Sequence, residues 1–451
     1  MHFTRRHPDR IASPIFVAIT LLVSGGAAAA CSSSDNDGDD LASDVVDAAA
    51  DAPSTPSDAG VDPPSVRDAG AVDAAPLPIV CATPPCATAL VTTRGASVDD
   101  RSEGFCALLD DGTVACWGAN GAGQLGRGAE PGKTDSSDAA RVLGLSEVAS
   151  LDHTCAVTKT GGVWCWGTGP FLQQANGATV TTERTPVKLD LPPATTIAVG
   201  YAGACAAVEG GVHCWGSNTN AQLAPLPTPL GDNGLPRAVA LPAGAPIRSM
   251  AVGTATFVLR EDGTLVTWGA NPPLGRVSSV FPDPSPARVA LDGFSALDLA
   301  HDNACATAGG IGYCWGAPAV PGKGSPLDRA LPEPVVTPEP IVDIATTQTH
   351  VIQGLGLKRS RWCAVSISGA VFCWGLNESG QAGDGTQDYA LDAVRVDGLP
   401  GPAARVKTTP NATCALLTSG KVYCWGSNYN GQLGNGQVPS RSFVPAEVKL
   451  P

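Results

Sequence analysis

The chain has 451 residues, of which 53 are Gly and 39 are Pro, while aromatic residues make up only 5%. This composition favours many short strands and turns over long helices, and therefore an all-β protein. The formal net charge is −14. Because nucleic-acid binding needs a basic surface that replaces counterions along the phosphates, this charge argues against DNA and RNA as partners.

The first thirty residues carry the pattern of an export signal. Three arginines among the first ten residues precede an apolar run at residues 15–23, and small residues then lead to Cys31. The apolar run is shorter than a membrane span requires, so residues 1–30 are predicted to be a signal peptide. Small residues directly before a cysteine resemble the cleavage site of bacterial lipoproteins, which implies that Cys31 is the lipidated first residue of the mature chain. The alternative is an ordinary signal peptide and a secreted protein.

Residues 31–80 are predicted to be a disordered acidic tether. From residue 32 to residue 80 the chain has eleven Asp against the single Arg67, set among Ala, Pro, Ser and Gly. Such a segment cannot bury enough apolar surface to offset the entropy that is lost when it becomes ordered. The folded part of the chain is therefore predicted to span residues 81–451.

This folded part contains seven copies of one tryptophan motif. Six copies read Cys-Trp-Gly and one reads Thr-Trp-Gly, with the tryptophans 47 to 59 residues apart. The seven tryptophans are Trp117, Trp166, Trp215, Trp268, Trp315, Trp374 and Trp425. A period near 50 without helical patterning is typical of propeller blades. The sequence thus predicts a seven-bladed β-propeller with one four-stranded antiparallel sheet in each blade.

The tryptophan motif belongs to a longer pattern, whose last part recurs in four of the seven repeats. In the first copy, Cys106-Ala-Leu is followed by a glycine turn, by Val-Ala-Cys116-Trp-Gly and by Gly123-Gln-Leu-Gly. This pattern resembles the repeat of the regulator of chromosome condensation family, whose fold is a seven-bladed propeller. The resemblance implies that blade-connecting loops on one face of the propeller contact a partner. The nuclear activity of the family, nucleotide exchange on a small GTPase, fits poorly with export and with paired cysteines.

Six repeats contain two cysteines that are nine or ten residues apart. If each pair lies opposite on a hairpin, the loops have two or three residues, and every three-residue loop ends in glycine, as that turn requires. Directly opposed residues are close enough for a disulfide. The predicted pairs are Cys106 with Cys116, Cys155 with Cys165, Cys205 with Cys214, Cys305 with Cys314, Cys363 with Cys373, and Cys414 with Cys424. Metal binding is the alternative, although zinc ligands usually lie closer in sequence.

The fourth repeat has Phe257 and Thr267 in place of the two cysteines. Both positions change together, as expected if the two cysteines act as a bonded pair. Cys81 and Cys86 are predicted to form a small disulfide just before the propeller. All fifteen cysteines then have a role, and their number indicates an oxidising compartment.

The tryptophans are predicted to pack between blades. Successive residues of a strand point to opposite sides of the sheet, so Cys116 and Trp117 must face different neighbouring blades. A carbohydrate-binding platform is the alternative. The segment at residues 445–450 matches pieces found between blades but has no blade after it. It is therefore predicted to pair as a strand into the first blade and so to close the ring.

No catalytic constellation is recognisable in the sequence, because the histidines occupy unlike positions in the repeats and the cysteines are paired. We therefore expect neither an enzyme nor a cofactor or metal site. One insertion stands out, between residues 344 and 363, and contains four residues that could contact an acidic partner: Lys358, Arg359, Arg361 and Trp362. A surface insertion without function is the alternative.

These features together predict an exported, lipid-anchored monomer at the periplasmic or outer cell surface. We expect it to bind a protein through blade-connecting loops, with the membrane contacted by the lipid alone. A polysaccharide-binding or polysaccharide-acting propeller of the cell surface is the alternative.

Overall fold

The computed structural model describes residues 75–451, apart from short segments that are mostly in loops. These segments are residues 94, 96–101, 129–134, 173–179, 202, 224–232, 272, 317–330, 349, 353–356 and 439. The predicted signal peptide, Cys31 and most of the predicted tether lie outside the described residues. Among the described residues the one helical element is a 3-10 turn at Pro170–Leu172, and no helix is long and apolar enough to cross a membrane.

Seven four-stranded antiparallel sheets follow one another along the chain, and each sheet is one blade. Within a blade, the strands lie side by side in chain order. The first strand of every blade contacts the first strands of the two neighbouring blades, and the seventh blade contacts the first in this way. The blades therefore form a closed ring around a central channel, which confirms the predicted seven-bladed β-propeller.

The strands of the first four blades begin and end as follows. Blade 1 contains β1 (Ala87–Thr93), β2 (Gly104–Leu109), β3 (Val114–Gly118) and β4 (Ser136–Arg141). Blade 2 contains β5 (Val148–Asp152), β6 (Cys155–Thr158), β7 (Val163–Gly169) and β8 (Thr181–Lys188). Blade 3 contains β9 (Ala194–Val199), β10 (Gly203–Val208), β11 (Gly211–Ser217) and β12 (Asn233–Val239). Blade 4 contains β13 (Ile247–Val252), β14 (Ala255–Arg260), β15 (Leu265–Gly269) and β16 (Asp283–Arg288).

The last three blades include one extra hairpin. Blade 5 contains β17 (Phe294–Ala300), β18 (Asn303–Ala308), β19 (Ile311–Gly316) and β20 (Glu333–Val335). Blade 6 contains β21 (Ile341–Thr346), β24 (Arg361–Ser366), β25 (Val371–Gly375) and β26 (Ala390–Arg395), and its inserted hairpin contains β22 (His350–Ile352) and β23 (Leu357–Arg359). Blade 7 contains β27 (Ala403–Thr408), β28 (Ala412–Leu417), β29 (Val422–Gly426) and β30 (Ser442–Glu447).

The paired cysteines lie directly opposite each other on the second and third strands of six blades. The six pairs form disulfides with Cα–Cα distances of 4.0 to 4.1 Å, and Cys81 bonds to Cys86. The hairpin loops bend as predicted, because Gly112 and Gly161 at their third positions have φ values of 77° and 82°. The predicted disulfides are thus confirmed.

The core lies between the blades. Six of the seven tryptophans pack against the disulfide of the preceding blade, as Trp166 does against Cys106–Cys116, and Trp315 packs against Phe257 of blade 4. The same arrangement closes the ring, where Trp117 of blade 1 packs against Cys414–Cys424 of blade 7. The indole N–H groups donate to backbone carbonyls of the preceding blade: Trp117 to Gln432, Trp166 to Gln124, Trp215 to Phe171, Trp268 to Gln222, Trp315 to Pro273 and Trp425 to Gln381. These bonds satisfy the indole donors in the interior.

The C-terminal strand does not pair into the first blade, and this prediction is wrong. β30 pairs with β29 and completes blade 7, while blade 1 begins with its own inner strand β1. The segments found between the cysteine pairs are therefore outer strands of the preceding blade, so the last segment needs no following blade. The ring closes through packing of blade 7 on blade 1 and through one isolated bridge between Asp138 and Asn435.

The end of the predicted tether belongs to the folded unit. The N–H of Val80 donates to the carbonyl of Thr418 at 2.7 Å, and Ile79 packs against the apolar cluster that contains Trp117. Ile79 and Val80 therefore lie against the folded unit, and the prediction of a disordered tether up to residue 80 is corrected for them. The partly buried side chain of Ile79 provides apolar contact that the acidic segment before it lacks.

Candidate functional site

The two faces of the propeller differ in the loops that they carry. Because the strands of each blade alternate in direction, the first-to-second and third-to-fourth connections lie on one face, which we call the loop face. The second-to-third hairpins, with their glycine turns, lie on the other face, which we call the hairpin face. The inserted hairpin β22–β23 belongs to the first-to-second connection of blade 6 and therefore to the loop face. The longer connections are thus collected on one side of the ring.

Ionisable side chains meet in the channel at one position of the inner strands. Asp152, Asp298 and Lys407 each lie opposite the first cysteine of their blade. Blade 6 has Ala345 at the same position, so Lys407 of blade 7 can reach past it to blade 5. The Nζ of Lys407 lies 2.5 Å from Oδ1 of Asp298. An ion pair therefore spans the channel between two blades that are not neighbours.

The carboxylates of the channel also bind backbone N–H groups of the next blade. Oδ2 of Asp152 accepts from Val199 at 2.7 Å, and Oδ2 of Asp298 accepts from Thr346 at 2.9 Å. Deeper in the channel, Oδ2 of Asp343 accepts from the N–H of Val406 at 2.9 Å. An inner strand has one unpaired edge, and these bonds satisfy donors on that edge. The acidic residues thus hold successive blades together while lining the channel.

The electrostatic potential around Lys407 is negative. Burial lowers the pKa of Lys407, but the nearby charges of Asp298 and Asp343 and the hydrogen bond to Asp298 outweigh this effect, so its pKa is raised. Burial also raises the pKa of the Asp343 carboxyl, against the opposing charges of Arg405 and Lys407. The ammonium of Lys407 is therefore held firmly in its charged form.

A cavity of about 80 Å³ opens at the mouth of the channel on the loop face. Its lining includes Thr93, Glu103, Asp152, His153 and Lys407. Such a volume accommodates several water molecules, at roughly 10–15 Å³ for each. The hydroxyl of Thr93 is buried and has no hydrogen-bond partner within the described part of the chain. The mouth is therefore a polar cavity lined by ionisable side chains of several blades.

Glu103 connects this cavity to the seam between blade 1 and blade 7. Its side chain is buried and accepts bonds from the hydroxyl of Thr409 at 2.5 Å and from Nδ2 of Asn411 at 2.6 Å. Burial raises the pKa of the Glu103 carboxyl, and the bonds from Thr409 and Asn411 oppose the rise. The closing seam thus has a polar contact in addition to the packing of Trp117.

The assignment of Arg361 to the partner-contact site is wrong, because its side chain is only 1% exposed. Its guanidinium donates to the backbone carbonyls of Thr409, Ala412 and Gln381 at 2.6 to 3.0 Å. Burial lowers the pKa of Arg361 to about 9, against the charge of Glu103. Arg361 is the first residue of β24 and lies after the inserted hairpin, and its bonds join blade 6 to blade 7.

The other three residues of the predicted contact site are placed differently. Trp362 is partly buried and stacks on Trp374, with ring centroids 6.2 Å apart. Lys358 and Arg359 lie in β23 of the inserted hairpin, opposite Val351 and His350. A contact through Lys358 and Arg359 remains a proposal.

The channel residues escaped the sequence analysis. Asp298 and Lys407 both lie seven residues before the first cysteine of their blade, so counting back from these cysteines would have aligned them. The count fails in blade 2, where the connection is so short that Asp152 lies only three residues before Cys155. Among the described residues, no group of three or more His, Cys, Asp or Glu could hold a metal ion.

Sequence comparisons identify the repeat. The profile described as "Regulator of chromosome condensation (RCC1) repeat" matches residues 102–124, 148–173 and 408–432. Human E3 ubiquitin-protein ligase HERC2 is 38% identical over 74 residues, which are 16% of this chain and 2% of that protein. The ultraviolet-B receptor UVR8 of Arabidopsis thaliana is 28% identical over 220 residues, which are 46% of this chain and 47% of the receptor. The chain thus spans less than half of either relative.

Solved structures share the fold. Human WBSCR16 aligns with a TM-score of 0.61 and 17% identity, over 75% of this chain and 95% of that one. Prp20p from Saccharomyces cerevisiae aligns with a TM-score of 0.59 and 18% identity, over 76% of this chain and 87% of that one. Together with the three matched segments in blades 1, 2 and 7, these likenesses lead to one conclusion. The chain carries regulator of chromosome condensation repeats in a seven-bladed β-propeller.

Proposed function

We propose that this protein is an exported interaction module that binds another protein through its loop face. The observation that carries the proposal is the difference between the two faces. The loop face holds the channel mouth, with ionisable groups from blades 1, 2, 5 and 7, and the hairpin insertion of blade 6. The hairpin face consists of tight turns around glycines such as Gly112 and Gly420. Binding residues concentrate on loops that a rigid scaffold positions.

The geometry of the channel supports binding over catalysis. Asp152, Asp298 and Asp343 are each committed to a backbone N–H of the next blade, and Asp298 is also paired with Lys407. Prp20p, a propeller of similar shape, has been described with its binding to Gsp1p and histones. A ring of this kind can therefore serve as a platform for protein partners.

The disulfides support the export part of the proposal. Seven bonds join fourteen of the fifteen cysteines, which is typical of an oxidising, extracellular environment. The lipid attachment at Cys31 rests on the sequence pattern before it. Replacing Cys31 by Ser should move the protein from the membrane fraction to the soluble fraction. Unchanged membrane retention of this variant would contradict the anchor.

Site-specific photocrosslinking in the producing cell tests the binding face. A photoreactive phenylalanine derivative replaces Lys358 in the insertion or Tyr429, which is 80% exposed on the loop face of blade 7. The matched control places the same group at Ile311, which is 47% exposed and follows the glycine hairpin of blade 5 on the hairpin face.

We expect a discrete crosslinked product of defined mass from Lys358 or Tyr429, and none from Ile311. Products from Ile311 alone would show that the hairpin face binds. The absence of products at all three positions would remove the case for a protein partner. Changing Lys358 and Arg359 to Glu together should weaken the product at Tyr429 if the insertion contacts an acidic partner.

A glycan ligand is the second candidate, and one pocket favours it. A pocket of about 270 Å³ is lined by Tyr429, Arg441 and three serines, Ser379, Ser427 and Ser440. An exposed aromatic ring beside hydroxyl and guanidinium donors suits a sugar ring. Retardation of the protein in gels that contain cell-surface polysaccharide, lost on replacement of Tyr429 by Ala, would support this candidate. Equal migration with and without polysaccharide would reject it.

A further inference from the structure

We propose that the seam between blades 5 and 6 holds a binding site for a quaternary ammonium group, of the kind that choline carries. The site lies where β20 and β24 begin, near the loop face, and it shares no lining residue with the cavity at the channel mouth. This inference goes beyond the proposed binding of a protein and does not depend on it.

The seam between blades 5 and 6 is less tightly closed than the other six. Five tryptophans of the repeat are fully buried and Trp315 is 4% exposed, whereas Trp374, which faces blade 5, is only partly buried. Cys314 beneath it is also partly buried, while the other hairpin cysteines are at most 1% exposed. Six indoles of the repeat donate to the preceding blade, but that of Trp374 makes no hydrogen bond with the described residues.

The other six seams are each filled by one apolar side chain from the connection between the third and fourth strands. This side chain comes six or eight residues after the tryptophan of its own blade and packs in the same cluster as the tryptophan of the next blade. The six residues are Leu125, Leu172, Leu223, Leu274, Ala382 and Leu433, each at most 4% exposed. In blade 5, the same two spacings after Trp315 give Pro321 and Lys323.

A cavity of about 150 Å³ occupies the seam between blades 5 and 6. The indoles of Trp362 and Trp374 lie opposite each other on β24 and β25, with ring centroids 6.2 Å apart and planes 18° from parallel, and they form one aromatic wall. Pro334, Val335 and the exposed Glu333 of blade 5 line the cavity as well. Pockets for drug-sized ligands measure roughly 300–1,000 Å³, so this cavity fits a compact end group.

The chemistry of the lining favours a large, weakly hydrated cation. The face of an indole carries negative charge and is the best aromatic partner for a cation. Glu333 adds a full negative charge, has no ion pair or hydrogen bond with the described residues, and no lysine or arginine among them lines the cavity. A primary ammonium needs acceptors for its three N–H groups, which mostly apolar walls do not supply. A quaternary ammonium presents methyl groups instead and has no N–H to satisfy.

Indole NMR signals test the site. The disulfide-intact protein is labelled with 15N in its nine tryptophans and titrated with choline or with dimethylbutanol, the uncharged carbon analogue of the same shape. We expect choline to shift the indole signals of Trp362 and Trp374. The six indoles that donate to backbone carbonyls should not respond and serve as internal controls. Dimethylbutanol should shift none of the signals at the same concentration.

Two variants with matched controls locate the contacts. Trp362→Leu removes one indole of the wall and should weaken choline binding about tenfold, as the loss of a cation–π contact does. Its control is Trp164→Leu, at a partly buried tryptophan of blade 2. Glu333→Gln should weaken binding about threefold, the size expected for an exposed ion pair. Its control is Glu209→Gln, in an exposed hairpin loop of blade 3. Both controls should leave binding unchanged.

Vesicle flotation distinguishes two sources of the quaternary ammonium group. The Cys31→Ser variant, which cannot carry a lipid on that residue, is mixed with vesicles of phosphatidylcholine or, for reference, of phosphatidylglycerol. Flotation with phosphatidylcholine alone that free choline abolishes would identify a lipid headgroup as the ligand. Choline binding without flotation would identify a soluble ligand.

Three results would overturn the inference: equal shifts with dimethylbutanol, no shift at Trp362 and Trp374 with choline, or unchanged affinity in both Trp362→Leu and Glu333→Gln. The outcome is separable from the photocrosslinking experiment. Crosslinked products from the loop face without choline binding would leave the proposed function standing and reject this site. Choline binding without any loop-face product would retain the site and reject the protein partner.

Discussion

Blade 4 differs from the other six blades in what it presents to its neighbour. In six blades a disulfide lies beneath the tryptophan of the next blade, but blade 4 presents Phe257 and Thr267. The ring of Phe257 stacks on Trp315 of blade 5, with centroids 5.8 Å apart and planes 13° from parallel. The position beneath the indole therefore requires apolar volume in every blade, and a covalent bond is one of two ways to provide it.

The largest loss in the free energy of unfolding is expected in blade 4, where the apolar volume beneath the next tryptophan comes from a side chain and not from a disulfide. Phe257 is fully buried, so Phe257→Ala leaves a cavity beneath Trp315 and should lower the free energy of unfolding by about 3–5 kcal/mol. Urea unfolding followed by tryptophan fluorescence measures the change. Phe281→Ala, in the same blade at a side chain that is 74% exposed, is the matched control and should shift the value by less than about 0.5 kcal/mol. Similar losses in both variants would disprove the packing role of Phe257.

A smaller loss in the free energy of unfolding is expected when a disulfide is removed but part of its side-chain volume is kept. Replacing Cys363 and Cys373 together by Ala opens one hairpin of blade 6 beneath Trp425. A loop of this length should cost about 2–3 kcal/mol through the entropy of the unfolded chain. The same urea titration tests it, and a loss larger than that of Phe257→Ala would mean that the bond matters more than the volume.

The smallest effect concerns the acid sensitivity of stability that one ion pair of blade 4 produces. Nη1 of Arg276 lies 2.8 Å from Oδ2 of Asp283, where blade 1 has Arg127 bound to the hydroxyl of Ser136. Burial raises the pKa of Asp283, but bonds from Ser278, Ser285 and Arg276 outweigh it and hold the pKa below its usual value. The stability that Asp283 contributes is therefore present above its ordinary pKa of 3.8 and is lost as the pH falls through the lower value of the folded state.

Asp283→Asn should thus reduce the loss of stability between pH 5 and pH 2, by about 1 kcal/mol. Unfolding titrations at several pH values compare the variant with the wild-type chain. A pH dependence identical in the two proteins would show that other carboxylates determine acid unfolding.

The blades and their disulfides could be predicted from the sequence because they depend on pairing between strands that are close in the chain. The hairpin between Cys106 and Cys116 is set by a loop of three residues that ends in Gly112, and such a register can be read from the spacing alone. The positions of all seven tryptophans between blades could be predicted from the alternation of side chains along a strand. Repetition made these conclusions independent of any single copy.

Features that depend on the assembled ring could not be predicted from the sequence. Residues 445–450 could complete the last blade or begin the first, and only the tertiary structure decides between them. Arg361 reads as an exposed basic residue, yet its position at the start of β24 directs the side chain between blades 6 and 7. The channel mouth is assembled from inner strands of blades far apart in the chain, and its acidic residues do not stand out in an acidic sequence.

The contacts of the described N-terminal segment lie on one face of the propeller. The chain enters the propeller beside the hairpin turns, where Val80 binds Thr418 and the N–H of Ala87 donates to Gly420. The described N-terminal residues thus occupy the hairpin face beside blade 7 and leave the channel mouth, on the opposite face, uncovered by this segment.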